Sequence, residues 1–149
     1  MTVLSGLPGS GKDTWIAAHA ADSPVVSLDA LRAELGVPPD GDQRPVAAVA
    51  YQRARAHLRA GRSFVWNATN VSRQQRDRCV GLAANYWARV EIVALEAPPA
   101  VVRSRNRARR DPVPDRVLDR LVDRWQTPDL TEGHAVAWID TANPGMGGA

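Results

Sequence analysis

The sequence predicts a three-layer α/β domain in which about five parallel strands are flanked by helices. Short apolar runs alternate with segments of helical composition, and this alternation is typical of βαβ units. A glycine-rich turn, residues 6–11, joins the first apolar run to the first helical segment. The chain has 149 residues and one cysteine, Cys79, so we expect one domain that buries a core without disulfides.

Five apolar runs are the predicted strands. Each is short, rich in aliphatic or aromatic side chains, and bounded by polar or turn-forming residues. In chain order they are residues 2–5, 24–28, 63–67, 89–96 and 135–139. Sheets of this kind bind ligands outside the carboxyl ends of their strands. Polar residues that follow these runs are therefore the first candidates for a functional site.

The segments between the strands have helical composition and carry start and stop signals. A helix over residues 14–20 follows the first strand, and another follows the second strand with Asp29 as its candidate N-cap. Ser72 and Gln75 form a capping-box pattern at the start of a helix that runs to about residue 87. The other predicted helices are residues 46–60, a segment opened by Pro98 and Pro99, and residues 115–125. We expect the domain to span residues 1–142, followed by a flexible tail, residues 143–149.

Charge and hydropathy restrict the classes of partner. The formal net charge is +3 and the pI is about 9.7, a balance that suits a phosphate-rich partner. No apolar run approaches the roughly 20 residues that cross a bilayer, and the first strand begins too close to Met1 for a signal peptide. We therefore expect a cytoplasmic protein without a membrane partner.

The most specific motif is the segment GLPGSGKDT, residues 6–14. Gly6, Gly11 and Lys12 match the phosphate-binding loop pattern, and the predicted strand and helix around them are the context that this pattern requires. Backbone N–H groups of such a loop, together with the following helix N-terminus, bind phosphates. We expect ATP or another nucleoside triphosphate here, with a glycine-rich turn that has no ligand as the alternative. The candidate nucleotide-binding residues are Gly9, Ser10, Gly11, Lys12, Asp13 and Thr14.

Asp13 departs from that motif, which normally has Ser or Thr after the lysine to ligate magnesium. A carboxylate about 4 Å from a phosphate charge is repelled by roughly 4 kcal/mol at an effective dielectric near 20. Magnesium or its water shell between the two groups would remove this cost, and so would an arginine that turns Asp13 aside. We favour the first arrangement, which makes Asp13 a predicted Mg²⁺ ligand.

Asp29 and Arg32 follow the second predicted strand and are three residues apart. If a helix begins at Asp29, both side chains lie on one face, near the outer phosphate of a bound nucleotide. In phosphoryl transfer a carboxylate can orient the acceptor hydroxyl and accept its proton, and an arginine can hold phosphate oxygens. Both residues are therefore candidate catalytic residues. The alternative is an N-cap and a solvent-facing arginine that form a surface pair.

An arginine cluster without acidic residues lies between residues 102 and 111. Its members are Arg103, Arg105, Arg107, Arg109 and Arg110. Arg105 and Arg109 are four residues apart and would face the same way on a helix. Because a nucleoside triphosphate would neutralise the mutual repulsion of these charges, the cluster predicts a lid over the transferring phosphoryl group. A solvated basic face or a nucleic-acid patch is the alternative.

The ordered set of these motifs resembles the 5′-hydroxyl polynucleotide kinase family, which includes a phage enzyme and the kinase modules of bacterial RNA-repair proteins. The corresponding segments here are residues 6–14, residues 27–32, Thr69-Asn70, and residues 105–109 with Val113-Pro114 beyond. The similarity extends from residue 3 to about residue 139. It implies a P-loop NTPase fold of the kinase-like type with an arginine-bearing lid, and it implies Mg²⁺ with ATP or another triphosphate as cofactors.

The resemblance also implies a role for each matched residue. Lys12 would contact the β- and γ-phosphates of the donor, Asp29 would be the general base, and Arg32 would bind the 3′-phosphate beside the acceptor 5′-hydroxyl. Arg105 and Arg109 would be the lid arginines. The further candidate substrate-binding residues are Thr69, Asn70, Arg73 and Arg76, although Arg73 and Arg76 fit solvent-facing helix positions equally well.

Asn67 is a second departure from the family pattern, because many relatives have an acid at this place before Thr-Asn. Together with Asp13, it leads to the hypothesis that the metal-binding carboxylate has moved from the third strand to the phosphate loop.

Three functions follow from these motifs. The leading interpretation is transfer of the γ-phosphate of a nucleoside triphosphate to the 5′-hydroxyl end of RNA or DNA, with the domain as one possible module of a larger repair protein. A small-molecule kinase that acts on a nucleoside, sugar or antibiotic hydroxyl would share the loop, the acid and the lid. A nucleotide-binding repair or scaffold module without chemistry is the third, and Asp13 and Asn67 are its best support.

Overall fold

The computed structural model describes residues 1–143 and contains a five-stranded sheet whose neighbouring strands are all parallel. The strands are β1 (Thr2–Ser5), β2 (Val25–Ser27), β3 (Val65–Asn67), β4 (Glu91–Glu96) and β5 (Ala135–Asp140). Their order across the sheet is β2-β3-β1-β4-β5. The five-stranded parallel sheet predicted from the sequence is therefore confirmed. Its carboxyl edge brings together the loops that follow every strand.

Six helices lie between the strands within the described residues. They are α1 (Lys12–His19), α2 (Leu28–Leu35), α3 (Arg44–Arg59), α4 (Arg73–Ala84), α5 (Pro99–Arg107) and α6 (Asp115–Asp123). The capping box of Ser72 and Gln75 is present at the start of α4. That helix ends earlier than predicted, because the chain turns at Trp87, where φ is +55°. Of the predicted tail, residues 144–149 lie outside the described residues.

The prediction that Asp29 caps α2 is wrong. The N-cap is Ser27, whose backbone is extended and whose hydroxyl accepts a hydrogen bond from the Ala30 N–H. Serine is a preferred N-cap residue because its side-chain oxygen satisfies one of the free N–H groups of the first turn. Asp29 consequently lies inside the first turn, and its carboxylate is available for other contacts.

Hydrophobic side chains cover both faces of the sheet, which confirms the three layers. Val3 and Leu4 are adjacent on β1 and fully buried, and they belong to two different core clusters. Val65 and Trp66 on β3 divide between the faces in the same way. This follows from the two-residue period of a strand, because neighbouring side chains point to opposite faces. No helix within residues 1–143 is long and apolar enough to cross a membrane.

Candidate active site

The loop between β1 and α1 has the backbone conformation of a phosphate-binding loop. Gly9 and Gly11 have φ values of +83° and +95°, in the left-handed region that favours glycine. A Cβ atom on Gly9 would lie 2.9 Å from the carbonyl oxygen of Val102, and one on Gly6 would lie 2.8 Å from that of Leu95. Side chains at these places would push the loop away from α5 and β4. The glycines are therefore required by the close approach of the loop to its neighbours.

The Lys12 side chain folds back into this loop. Its Nζ donates hydrogen bonds to the carbonyl oxygens of Gly6 and Leu7, at 2.8 and 2.9 Å. Burial lowers the pKa of Lys12 to about 8; the adjacent Asp13 carboxylate opposes this shift, and the Arg109 and Arg32 guanidinium groups add to it. An anion that entered the loop would stabilise the charged ammonium. The side chain is thus enclosed at a place where a negative ligand would offset its desolvation.

The predicted loop, acid and lid residues come together around one cavity of about 210 Å³. Its lining residues are Gly9, Gly11, Lys12, Asp13, Thr14, Asp29, Arg105 and Arg109. Ser10 differs from the other loop candidates, because its side chain is buried beneath the loop and its Oγ has no hydrogen-bond partner among residues 1–143. Of the two hydroxyl residues in the motif, Thr14 is the one that lines the cavity.

Asp29 lies at the border of this cavity, where two arginines bind its carboxylate. One carboxylate oxygen accepts from Arg32 and the other from Arg109, the latter at 3.3 Å. Arg32 also donates to the side-chain oxygen of Gln43 at 3.3 Å. Burial and the nearby charge of Arg109 lower the pKa of Arg32. Asp29 and Arg32 therefore form more than an isolated surface pair, since a residue from the predicted lid completes the cluster.

The lid differs from its predicted form at the end of its helix. α5 ends at Arg107, so Arg105 and Arg109 do not share a helix face as predicted. Asn106 ends the helix by pairing with the backbone of Val113, to which its side chain donates at 2.8 Å and from which it accepts at 3.1 Å. Arg109 lies in the turn that these bonds close. Arg105 reaches the same cavity while donating to the hydroxyl and carbonyl oxygens of Thr141, at 3.0 and 2.8 Å.

Asp13 and Asn67, the two departures from the family pattern, are in direct contact. The Asn67 amide donates to Asp13 Oδ1 at 3.0 Å. In the described part of the chain, no three His, Cys, Asp or Glu side chains form a metal cluster. Mg²⁺ is commonly held by one or two carboxylates together with waters and substrate phosphates. A single exposed carboxylate beside the loop therefore fits that ion, and Asp13 is the residue that could hold it.

Two of the predicted substrate residues have structural contacts instead. Arg76 is fully buried and donates to both carboxylate oxygens of Glu132, at 2.6 and 3.0 Å, and to the carbonyl of Asn70 at 2.9 Å. Because this guanidinium faces the interior, the prediction that Arg76 contacts a substrate does not fit the structure. Arg73 is exposed at the start of α4 and pairs with Asp129 at 3.0 Å. Neither arginine lines the cavities at the sheet edge.

Thr69 and Asn70 lie at the sheet edge as predicted and support the loop. The Thr69 carbonyl accepts from the Gly6 N–H at 2.8 Å, and the Asn70 amide donates to the Leu4 carbonyl at 2.7 Å. Both residues also line a second cavity of about 340 Å³, which extends from Asp29 and Arg32 inward between α3, α4 and α6. The sequence-based prediction missed its other polar and aromatic lining residues. These are Gln43, Tyr51, Trp66, Gln75 and Arg78.

A third cavity, of about 560 Å³, adjoins the phosphate loop on the side of α1 and β5. It is lined by the loop residue Gly11, by Thr14 and Trp15 of α1, and by Arg105 and Thr141. The Trp15 ring stacks on His19, with ring centroids 5.0 Å apart. This cavity adjoins the first one, because Gly11, Thr14 and Arg105 line both. A nucleotide could therefore extend from the loop along α1.

Comparison with known proteins identifies the family. The family model described as AAA domain, AAA_33, matches residues 1–128. No curated protein matches the sequence. Among solved structures, the fold is similar to a gluconokinase from Sinorhizobium meliloti 1021, with a TM-score of 0.68 and 23% identity over 96% of this chain and 83% of that chain. It is also similar to Chaetomium thermophilum Kti12 in complex with ADP-AlF3, with a TM-score of 0.69 and 17% identity. That match covers 95% of this chain and 89% of the Kti12 chain.

The resemblance to the polynucleotide kinase family, inferred from the motifs, is matched by one of the similar structures over a smaller part of the chain. A chain of the Pnkp1/Rnl/Hen1 complex matches with a TM-score of 0.59 and 21% identity. The match covers 70% of this chain and 38% of that chain. At these identities the likenesses establish a shared fold, and they do not distinguish a polynucleotide from a small-molecule acceptor. What is shown is a P-loop domain of the kinase-like type.

Proposed function

The chain belongs to the AAA_33 family of AAA domains, and we propose that it transfers the γ-phosphate of a nucleoside triphosphate to the 5′-hydroxyl end of RNA or DNA. The observation that carries this proposal is the position of Asp29. Its carboxylate lies on the wall between the phosphate-loop cavity and the 340 Å³ cavity, and it is held by Arg32 on one side and Arg109 on the other. A group there can face a donor phosphate and an acceptor hydroxyl at once.

Each residue of the site has a part in the transfer. Asp29 orients the acceptor hydroxyl and accepts its proton as the oxygen bonds to the γ-phosphorus and the bond to the β-phosphate oxygen breaks. Because a carboxylate is a weak base, orientation is its larger contribution. Lys12, Arg105 and Arg109 stabilise the charge on the transferring group, and Arg32 holds a phosphate of the acceptor. The nucleoside diphosphate then leaves along the loop.

Magnesium fits the donor side of this site. Asp13 would hold it, with Asn67 fixing the orientation of the Asp13 carboxylate. When bound, Mg²⁺ would neutralise charge on the β- and γ-phosphates. The same contact supports the hypothesis that the metal-binding carboxylate has moved from the third strand to the phosphate loop.

A small-molecule kinase is the second candidate function, and the similarity to a gluconokinase favours it. Both functions would use the loop, Asp29 and the lid arginines, so the two can be distinguished only by which acceptor is phosphorylated. A polynucleotide kinase uses 5′-hydroxyl oligonucleotides and 3′-nucleotides, whereas a small-molecule kinase uses a free nucleoside, sugar or antibiotic. A module that binds nucleotides without chemistry would phosphorylate none of these acceptors.

The testing experiment incubates the protein with γ-labelled triphosphates and either a 5′-hydroxyl oligonucleotide, a free nucleoside or gluconate. We expect label on the oligonucleotide, and we expect Asp29→Ala to lower kcat about 10²- to 10⁴-fold while triphosphate binding is retained. Asp29→Asn, whose amide oxygen can still orient the hydroxyl but cannot accept its proton, should be less damaging than Asp29→Ala, and a loss as large as that of Asp29→Ala would mean that proton acceptance dominates. Asp22→Ala, which removes another exposed acid, is the matched control. Full activity in Asp29→Ala would contradict the mechanism, and label only on gluconate or the nucleoside would contradict the acceptor.

A further inference from the structure

We propose that the 340 Å³ cavity beside Asp29 receives the base of the acceptor's terminal nucleoside, and that Arg78 contacts the second phosphate of the acceptor strand, one beyond the phosphate that Arg32 holds. The inference rests on the proposed function and specifies how the acceptor is bound. The cavity begins at Asp29 and Arg32, where the hydroxyl would react, and extends between α3, α4 and α6. A nucleoside that placed its 5′-hydroxyl at Asp29 would have its base directed into this space.

The inner wall suits a planar and weakly polar group. The rings of Tyr51 and Trp66 lie with their centroids 5.3 Å apart, and Leu28, Val46 and Cys79 line the cavity beside them. Burial raises the pKa of the Cys79 thiol to about 12, so this side chain stays neutral and acts as part of an apolar surface. Aromatic side chains bind bases by stacking, and stacking accepts every base because each one has a π-face.

Several polar groups of the wall are engaged with the protein, whereas the Trp66 Nε1–H is buried without a hydrogen-bond partner within residues 1–143 and could donate to a base. The Gln43 amide donates to the carbonyls of Pro38 and Gly41, and its oxygen accepts from Arg32. The Asn70 amide donates to Leu4, and the Gln75 oxygen accepts from Ser72. A polyol or sugar acid needs a hydrogen-bond partner for each hydroxyl group, and this wall has few to offer. The cavity therefore favours a base over a sugar acid.

Arg78 is the arginine of α4 that faces this cavity. Arg73 and Arg76 of the same helix are paired with Asp129 and Glu132, whereas Arg78 pairs with no carboxylate within residues 1–143. A guanidinium at the outer wall can bind phosphate oxygens with its planar fork. Arg32 beside Asp29 and Arg78 on α4 would thus contact successive phosphates of one strand.

The test compares 5′-hydroxyl oligonucleotides that carry either a normal or an abasic first nucleoside. For the wild type we expect the KM of the normal acceptor to be roughly five- to hundredfold lower, in line with the strength of base stacking. Tyr51→Leu should abolish this difference, whereas Tyr51→Phe, which keeps the ring, should retain it. Arg78→Gln should raise the KM of a 5′-hydroxyl dinucleotide that carries a 3′-phosphate, and so has two phosphates, and leave that of a 3′-mononucleotide, which has one, unchanged. Arg59→Gln, on the exposed surface of α3, is the matched control for the fold and for activity.

Calorimetric binding of 3′-nucleoside monophosphates and of ribose 3-phosphate, measured without a donor, separates this inference from the proposed function. Preferred binding of the base-bearing ligands that is lost in Tyr51→Leu supports the cavity assignment, even if no acceptor is phosphorylated and the proposed function fails. Equal binding of both ligands, or equal KM values for normal and abasic acceptors, overturns the inference while the kinase activity stands.

Discussion

Lys12 determines the pH range in which the phosphate loop can hold a triphosphate. In the free protein burial lowers the pKa of its ammonium to about 8, and bound phosphates would raise it again. Below pH 8 the lysine is charged in both states, so its contribution to affinity is constant. Above pH 8 binding must take up a proton, and the association constant should fall by up to about tenfold per pH unit. Calorimetry in buffers of different ionisation enthalpy would detect the proton uptake.

The control for this pH dependence is Lys12→Arg, because an arginine stays charged at every pH used. Its affinity for the triphosphate should be lower than that of the wild type but flat between about pH 7 and 10. A wild-type affinity that is equally flat above pH 8 would contradict the assigned role of the lysine.

The contact between Asp13 and Asn67 makes a second prediction at the residue scale. Asp13→Ala, which leaves no ligand at this place, should remove most of the gain in triphosphate affinity that Mg²⁺ provides. Asn67→Asp should weaken triphosphate binding measured without Mg²⁺, since it places a second carboxylate beside Asp13 at the phosphate site. The double variant, Asp13→Ser with Asn67→Asp, restores one acid and one hydroxyl and should recover the Mg²⁺ dependence. Calorimetric titration with and without Mg²⁺ measures each case. Unchanged Mg²⁺ dependence in Asp13→Ala would show that Asp13 is not the ligand.

At the scale of the elements, the features that could be predicted are those with local causes. The alternation of Val3 and Leu4 and the Ser72 capping box depend on residues close in sequence, and the loop glycines belong to a motif that nine consecutive residues reveal. The end of α5 could not be predicted, because it depends on bonds between Asn106 and Val113. Tyr51 and Arg78 were missed for a similar reason, since α3 and α4 place them in one wall only after folding. The burial of Arg76 could not be predicted either, because a charged side chain is expected at the surface and its partner Glu132 is 56 residues away in the sequence.

The buried pair of Arg76 and Glu132 supports a stability prediction. It ties α4 to the segment before β5, and its carboxylate and guanidinium are nearly inaccessible to solvent. Arg76→Met leaves the Glu132 carboxylate buried without a partner and should lower the free energy of unfolding by about 3–5 kcal/mol. Replacing both residues, Arg76→Met with Glu132→Leu, should recover much of that loss. Urea denaturation measures all variants.

Arg73→Met is the matched control for this pair, because it removes an exposed arginine from the same helix. The ion pair of Arg73 with Asp129 should contribute less than about 1 kcal/mol. A loss in Arg76→Met no larger than that of Arg73→Met would contradict the structural role of the buried pair.

At the scale of the whole molecule, ion pairs connect the lid to the acceptor side of the sheet. Arg109, beyond α5, pairs with Asp29 of α2, and Arg116 of α6 pairs with Asp40 in the loop before α3. These partners are solvent-accessible, so the pairs are weak enough to break and re-form. A triphosphate in the loop would compete with Asp29 for Arg109. Donor binding would then free the carboxylate that orients the acceptor.

The distribution of charge also predicts how an acceptor strand responds to salt. With Arg32 and Arg78 contacting about two phosphates, the logarithm of the binding constant for a 5′-hydroxyl oligonucleotide should fall with the logarithm of salt concentration with a slope of about −1.4. A tenfold rise in NaCl would then weaken binding roughly 25-fold. Arg78→Gln should reduce the slope to about −0.7, and Arg59→Gln should leave it unchanged. A slope near zero would indicate an acceptor held without phosphate contacts and would favour the small-molecule kinase.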